Sequence, residues 1–262
     1  MQPILFNFAG FPVLSFQFFI LLGVIAAYIA VNWAAERRGI SEKTILFTAV
    51  AAIVAGGIGT HLMTAFVYWV SLDHSAAALK RGFDAMSDTG VFVFAEIAIA
   101  AVAWRLKQNA WAVLDVWAIA AAIGSPIGRI GCLLAGCCYG QPTTLPWGLH
   151  YPAEHAGTIA AHGAALHPTP LYMSLGVFAV WLGLVWLIRH PAKPGRVLLA
   201  AWGGYAVVRF TVEFFRADVA RGAWLGGTLT TYQLIVASAF VLHALLAWRL
   251  WPKQELAPQP VA

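Results

Sequence analysis

Long apolar segments, separated by short charged or proline- and glycine-containing stretches, constrain this chain more than any other feature. One helical crossing of a hydrocarbon core needs about 20 apolar residues. Apolar runs of this kind predict helices at 14–35, 44–71, 89–106, 111–138, 169–189, 196–216 and 228–251. The sequence therefore predicts an all-α polytopic membrane protein with seven transmembrane helices.

Composition agrees with a lipid environment. Hydrophobic residues make up 61% of the chain and charged residues 10%, whereas a soluble domain contains about 45–50% and 25%. We expect one integral-membrane domain over 1–252 and a disordered cytoplasmic tail over 253–262. The net charge of +5 comes from basic residues between apolar segments and not from a basic patch, so nucleic acid is not an expected partner.

The distribution of lysine and arginine predicts the orientation of the chain. Alternate loops hold most of these residues, in clusters around Arg37, Arg105, Arg189 and Arg249, whereas the long loop over 141–168 holds none. Basic loops remain on the cytoplasmic side of a membrane. The N-terminus and the 141–168 loop are therefore expected outside, and the C-terminus is expected in the cytoplasm.

Three charged residues, Arg209, Glu213 and Arg216, lie in the segment RFTVEFFR. A charge in hydrocarbon costs about 2.5–3.5 kcal/mol on insertion scales, so each one needs a partner or a function. Their spacing of four and three residues predicts one helical face, on which a salt bridge could simply neutralise the helix. One acid cannot neutralise two arginines, however, and the excess positive charge predicts an anionic ligand such as a phosphate.

The fourth predicted helix carries a stripe of small residues at four-residue spacing: Gly124, Gly128, Cys132, Gly136 and Gly140. Such a stripe allows close helix packing or a close backbone approach to a ligand. The neighbouring Arg129 is not explained by packing, because a buried guanidinium must still find acceptors. Arg129 is therefore a candidate ligand-binding residue.

The three cysteines, Cys132, Cys137 and Cys138, allow more than one interpretation. Their spacing differs from that of the Cys pairs in zinc sites, so no metal site and no cofactor is expected. Small buried packing residues are one alternative. Reactive thiols are the other, since a nearby arginine lowers the pKa of a thiol.

Three further polar residues require an explanation. Asp115 lies near the inner end of its helix, and Glu96 needs a basic partner that the sequence does not identify, so structural roles are expected for both. His167, in HPTPLY at the outer mouth of the fifth helix, is either a simple loop residue or a group that acts as a base or binds phosphate.

Three blocks of the chain, GRIGCLLAGCCYG (128–140), HPTPLY (167–172) and GGYAVVRFTVEFFR (203–216), resemble those of the prolipoprotein diacylglyceryl transferases. The order of the blocks and the seven-helix topology agree over nearly the whole chain. The resemblance implies a bacterial inner-membrane enzyme that moves diacylglyceryl from phosphatidylglycerol to the thiol of a lipobox cysteine in a preprolipoprotein signal peptide. Glycerol phosphate would be released, and the active site would face the periplasm.

The resemblance also implies roles for individual residues. Arg129 matches a phospholipid-binding arginine, Gly140 the glycine that closes that motif, and Arg209 a second essential arginine. Glu213 and Arg216 match the rest of the charged face that binds the phospholipid.

The aromatic and histidine positions of the motifs are also present. Tyr205 and Tyr172 match motif tyrosines, and His167 matches the histidine of the fifth-helix block. The resemblance therefore implies a catalytic group of Arg129, Arg209, His167 and Tyr205, with Tyr172 on the phospholipid side.

The sequence departs from the family pattern at several positions. Cys132 stands at an asparagine position and Cys137 at an acidic one, which indicates a divergent subgroup. Thr89 stands where the family has a histidine, in the segment MSDTGV, and His61 stands where an arginine is expected in the second helix. These changes leave open a paralogue that transfers a glycerolipid-derived group to a different thiol or other acceptor.

Two further classes fit the sequence less well. A transporter predicts charges along a path through the bilayer and often repeated halves, whereas the motifs here gather toward one side and no repeat is visible. A purely structural scaffold does not explain buried arginines that outnumber their acids.

Overall fold

A computed structural model describes residues 2–8, 10–72, 74–150, 163–190, 193–217, 222 and 224–250. The fold is helical, with two short antiparallel hairpins at its edges. The helices are α1 (Ser15–Arg38), α2 (Glu42–Ser71), α3 (Ala76–Phe83), α4 (Asp88–Arg105), α5 (Ala110–Ala135), α6 (Thr169–Arg189), α7 (Arg196–Glu213) and α8 (Thr231–Leu250). The strands are β1 (Ile4–Phe8) and β2 (Phe11–Leu14), which pair with each other, and β3 (Leu149–His150) and β4 (Ala165–Leu166), which do the same.

Each of the seven predicted segments contains a long helix, and the bounds agree within three residues. The apolar pattern did not predict the short helix α3, which is eight residues long and is followed by α4 at an angle of 79°. It also missed the β1–β2 hairpin, because the apolar residues of that hairpin run directly into those of α1.

Five helices, α1, α2, α5, α6 and α8, are long and apolar enough to cross a membrane, and α3 with α4 would make a sixth span if the bent pair counts as one. Helix α7 contains three charged residues among its eighteen, Arg196, Arg209 and Glu213, which sets it apart. The protein is therefore a polytopic membrane protein. The predicted count of seven crossings and the single domain over 1–252 stay predictions, and the predicted tail over 253–262 lies outside the described residues.

The outer surface of the bundle is apolar. Large hydrophobic side chains such as Leu21, Ile53, Trp186 and Val207 are more than half exposed. A soluble monomer rarely exposes contiguous apolar surface on this scale. Lipid is therefore the solvent that this surface fits.

Helix α5 packs against α1, α4, α6 and α7, and its glycine stripe explains the close approach of α1. A Cβ atom on Gly124 would lie 3.0 Å from the Gly23 carbonyl oxygen, and one on Gly128 would lie 3.1 Å from the Ile20 Cδ1. The prediction of close packing is therefore confirmed for the first part of the stripe.

This helix ends three residues before the predicted end at 138. Helix α5 ends at Ala135 because Gly136 adopts a left-handed conformation, with φ of +74°. The Gly136 and Cys137 amides then donate to the Leu133 and Cys132 carbonyls, which is the Schellman arrangement. Gly136 and Gly140 consequently do not continue the helical stripe, and the chain turns back at the end of the bundle.

Opposite ends of the bundle collect different groups. The starts of α4, α6 and α8 meet the ends of α5 and α7 at one end, which we call the site end. At the other end, Arg38 of α1 approaches Asp115 of α5 at 3.7 Å, and Asp115 also binds the start of α7.

Candidate active site

The centre of the site end is an ion pair between α4 and α5. A guanidinium nitrogen of Arg129 donates to the Asp88 carboxylate, and both side chains are mostly buried, with 12% and 23% exposed. Helix α6 fixes α5 just before this point, since the Ser174 hydroxyl donates to the Pro126 carbonyl at 2.9 Å. A buried arginine can persist in a membrane bundle when an acid compensates it in this way.

Two hydroxyl groups complete the surroundings of Asp88. The Tyr205 hydroxyl of α7 donates to the Asp88 carboxylate at 3.2 Å. It also lies 3.3 Å from the hydroxyl of Thr89, which is fully buried. Thr89, at the position where a histidine was expected, therefore lies in the centre of the site, beside Asp88 and Tyr205.

A second ion pair lies within α7. Arg209 donates to Glu213 at 2.5 Å, and both residues are 3% exposed. The other carboxylate oxygen of Glu213 accepts from the Thr230 hydroxyl at 3.0 Å, and the Arg209 guanidinium lies over the Tyr232 ring at 5.2 Å. Among the described residues, the buried Nε of Arg209 has no hydrogen-bond acceptor. A buried donor of this kind is costly unless a ligand completes it.

Arg216 joins the site from outside the helix. The expectation that Arg209, Glu213 and Arg216 share one helical face was wrong for Arg216, because α7 ends at Glu213 and the chain continues as a turn. Arg216 is nevertheless 8% exposed, and the Asp88 carboxylate interacts electrostatically with Arg129, Arg209 and Arg216. Three guanidiniums thus gather around Asp88.

A cavity of about 320 Å³ opens beside these charges. Its polar lining includes Gln141, Glu213, Arg216, Thr230 and Gln233. This volume lies at the lower end of the range for small-molecule sites. It can accept a group of the size of glycerol phosphate.

The loop after α5 holds the Arg216 turn in place through Gly140. The Gly140 amide donates to the His167 carbonyl at 2.9 Å, and the Gln141 amide donates to the Phe215 carbonyl at 2.8 Å. A Cβ atom on Gly140 would overlap the Phe215 carbonyl oxygen and lie 2.7 Å from the His167 Cβ. The position therefore requires glycine because two other segments pass within contact distance.

His167 and Tyr172 form a separate aromatic group at the same end. The His167 Nδ1 lies 3.1 Å from the Tyr172 hydroxyl, which also accepts from the Trp147 indole at 2.8 Å. Both rings pack against Phe215. The predicted site residues therefore fall into an arginine group around Asp88 and a histidine group around Gly140, joined by the turn at Arg216.

The three cysteines lie beside the arginine group. Cys132 is in the last turn of α5, one turn after Arg129, while Cys137 and Cys138 are in the loop that follows. Their sulfur atoms lie within 4.8 Å of one another. Arg129 interacts electrostatically with Cys132 and Cys138.

Glu96, for which a structural role was expected, has clear partners away from the site. Glu96 accepts from the Trp202 indole at 2.7 Å and contacts the His243 imidazole at 2.5 Å. The sequence did not identify this partner because it is a histidine 147 residues away. His61 contacts the Phe83 carbonyl at 2.8 Å.

Asp88 is the main residue that sequence reasoning missed. The sequence places it only as the neighbour of Thr89 in the segment MSDTGV. The available signal was an acid directly beside the missing histidine, on the side of the membrane where the arginines gather.

Fold and site together define a polytopic membrane protein with a buried, arginine-rich site at one end of its bundle. The family model of the prolipoprotein diacylglyceryl transferases matches residues 3–257. This chain belongs to that family.

Named relatives agree with this assignment. The chain is 31% identical over 218 residues to a phosphatidylglycerol–prolipoprotein diacylglyceryl transferase of Clostridium tetani, covering 83% of this chain and 86% of the relative. A second protein of that name from Clostridium perfringens is 30% identical over 243 residues, with 92% of both chains covered. One from Geobacter sulfurreducens is 28% identical over 253 residues, with 94% of both chains covered.

Proposed function

We propose that this protein transfers diacylglyceryl from phosphatidylglycerol to the cysteine thiol of a preprolipoprotein signal peptide. The relatives carry this activity in their names. The observation that carries the proposal is the buried Nε of Arg209, which has no acceptor among the described residues and lies in a site where Arg129, Arg209 and Arg216 all interact with Asp88. A lipid phosphate supplies the missing acceptor and suits a site that gathers guanidiniums.

Donor binding is an exchange of anions. Arg129 and Arg209 bind the phosphate of the lipid, and Arg216 borders the cavity that receives its glycerol. Tyr172 and Gly140 hold the Arg216 turn from the histidine group. The Thr230 hydroxyl holds Glu213 in place beside Arg209. The ion pair that opens when the phosphate binds is therefore the other one, in which Arg129 releases Asp88.

The chemistry favours guanidiniums at this position. The thiolate attacks the glyceryl carbon, a carbon–sulfur bond forms, and the carbon–oxygen bond to the phosphate breaks. The electron pair of the broken bond moves to the phosphate oxygen, so the phosphate gains one negative charge during the reaction. Fixed arginines therefore bind the transition state more strongly than the bound donor, which is the condition for catalysis.

Asp88 is our candidate for the group that accepts the thiol proton. Phosphate binding draws Arg129 away from Asp88, and a carboxylate that has lost its cation is a stronger base. Tyr205 donates to the same carboxylate at 3.2 Å and orients it. Both groups lie beside Thr89, which stands where the family has a histidine. His167 then positions the Gly140 loop.

We infer seven membrane crossings, with the N-terminus outside and the site end at the periplasmic surface of a bacterial inner membrane. The distribution of basic residues supports this orientation, because Arg38, Arg105, Arg189 and Arg196 lie at or next to the helix ends remote from the site. Helix α7 would cross with Arg209 and Glu213 paired. Their pairing lowers the cost of insertion.

The test is an assay of the purified protein with phosphatidylglycerol and a lipobox peptide, following the release of glycerol phosphate. We expect release that requires the peptide cysteine. Arg129→Ala and Arg209→Ala should each lower the rate by about 100-fold or more, as expected when a charge-stabilising donor is removed. Arg105→Ala, an exposed arginine at the other end of α4, is the matched control and should retain its rate.

Two results would contradict parts of this proposal. Near-normal rates in Arg129→Ala or Arg209→Ala would remove the phosphate-binding assignment. Release that also occurs with a serine-containing peptide, or only with a different thiol, would assign the protein to another acceptor.

A further inference from the structure

The three cysteines form a cluster that the proposed reaction does not use. The chain has three cysteines in total, and all three come together at the end of α5. Their ligand atoms lie within 4.8 Å of one another.

Backbone geometry builds this cluster. The left-handed Gly136 ends α5 and brings Cys137 back over Cys132, whose carbonyl accepts from the Cys137 amide at 3.1 Å. Cys138 has φ of +61°, a conformation that non-glycine residues rarely adopt. The Thr169 hydroxyl donates to the Cys138 carbonyl and ties the turn to α6. Gly136 and Cys138 together turn the chain so that the thiols converge.

The size of the sulfur triangle fits a three-coordinate metal ion. A metal–sulfur bond of about 2.3 Å places three sulfurs at the corners of a triangle with edges of about 4.0 Å. The observed separations of up to 4.8 Å need a contraction of less than about 1 Å. Side-chain rotation can supply this change without moving the helix.

Positive charge lies beside the cluster. The guanidinium of Arg129 interacts electrostatically with Cys132 and Cys138. A nearby arginine favours the thiolate, which is the form of cysteine that binds metals.

We propose that Cys132, Cys137 and Cys138 bind one soft metal ion of the copper(I) class through three sulfur atoms. Soft thiolates select such ions. Zinc sites almost always need a fourth ligand, and no further His, Asp or Glu among the described residues joins the group. Each thiol that becomes a ligand releases its proton to solvent, and no electron is transferred.

The spacing argument against a metal site does not apply to this geometry. It concerned pairs of cysteines on a tetrahedral ion, whereas here a helix end and a left-handed turn present single thiols from three directions. The proposal is independent of the transfer reaction, because none of the three thiols takes part in the proton or phosphate chemistry.

The experiment is a competition between the reduced full-length protein and bicinchoninate for copper(I), under anaerobic conditions. We expect one copper(I) per chain, and we expect uptake to fall to zero in the variant Cys132→Ser/Cys137→Ser/Cys138→Ser. The matched control is Met86→Leu, which removes a sulfur ligand that is 66% exposed and lies outside the cluster. This control should retain one copper(I) per chain.

A second measurement on the unaltered protein covers the case in which the triple variant fails to fold. Copper(I) should protect all three thiols from alkylation, as counted by intact mass. Alkylation of all three thiols in the presence of copper(I) would overturn the proposal. So would uptake that persists in a folded triple variant, or a stable disulfide that forms in place of copper(I) binding after reduction.

Discussion

Two aspartates mark opposite ends of this bundle, and they are held in different ways. Asp115 is fully buried, and its two oxygens accept from the Gly195 and Leu198 amides at 2.9 and 2.8 Å. Asp88 is held by side chains, those of Arg129 and Tyr205. Arg38 lies 3.7 Å from Asp115, but the hydrogen bonds that hold Asp115 come from the backbone, whereas both donors to Asp88 are side chains that can rotate away.

This difference separates a structural charge from a functional one. The amides that bind Asp115 belong to the start of α7 and cannot leave without unwinding the helix. The Asp115 carboxylate therefore caps α7 in a fixed position. The arginine that binds Asp88 can exchange one anion for another. A buried charge with mobile partners is therefore the better indicator of a ligand site.

The substitution with the largest expected effect is Asp88→Asn, which should lower the rate of catalysis. We expect kcat to fall by about 100-fold or more, because a general base is removed, while KM stays the same or falls since the arginines lose a competing carboxylate. Steady-state assays with varied phosphatidylglycerol measure both quantities. A large rise in KM at unchanged kcat would show that Asp88 holds the arginines and does not accept a proton.

The opposite result is expected for Asp115→Asn. The amide keeps one acceptor but loses the charge, so we expect the folded state to lose about 2 kcal/mol, the range for hydrogen bonds to a charged group. Thermal unfolding in detergent measures the loss. The folded fraction should keep its transfer rate. Loss of activity in fully folded Asp115→Asn would contradict the assignment of a purely structural role to Asp115.

The smallest expected effects on the rate come from substitutions of two tyrosines at the site end. Tyr205→Phe removes one donor to Asp88, and we expect a rate loss of about tenfold, equivalent to one hydrogen bond of about 1.4 kcal/mol. Tyr172→Phe removes the contact to His167 and should lower the rate less. A larger rate loss in Tyr172→Phe than in Tyr205→Phe would indicate that His167, and not Asp88, accepts the proton.

Much of the fold follows from local sequence. Helix α6 runs from Thr169 to Arg189 as its apolar pattern predicts, because a proline at its second position and an arginine at its end mark the bounds. The helix ends near the site were less predictable. The apolar pattern continues past Ala135 and Glu213, whereas the structure breaks both helices there so that the following residues can turn into the site.

Burial of the charges could also be expected from sequence. Arg129, Arg209 and Glu213 stand in apolar segments, where an ionised side chain must find a partner or a ligand. Which acid serves which arginine could not be expected in the same way, because Asp88 and Arg129 are 41 residues apart.

The sequence by itself therefore determined the membrane environment, the helices, the family motifs and the excess of positive charge, because these depend on residue type and short-range spacing. Only the tertiary structure decided that Asp88 joins the arginines, that Glu96 pairs with His243, and that three cysteines with unpromising spacing converge. These contacts depend on how distant helices pack, which no local pattern contains.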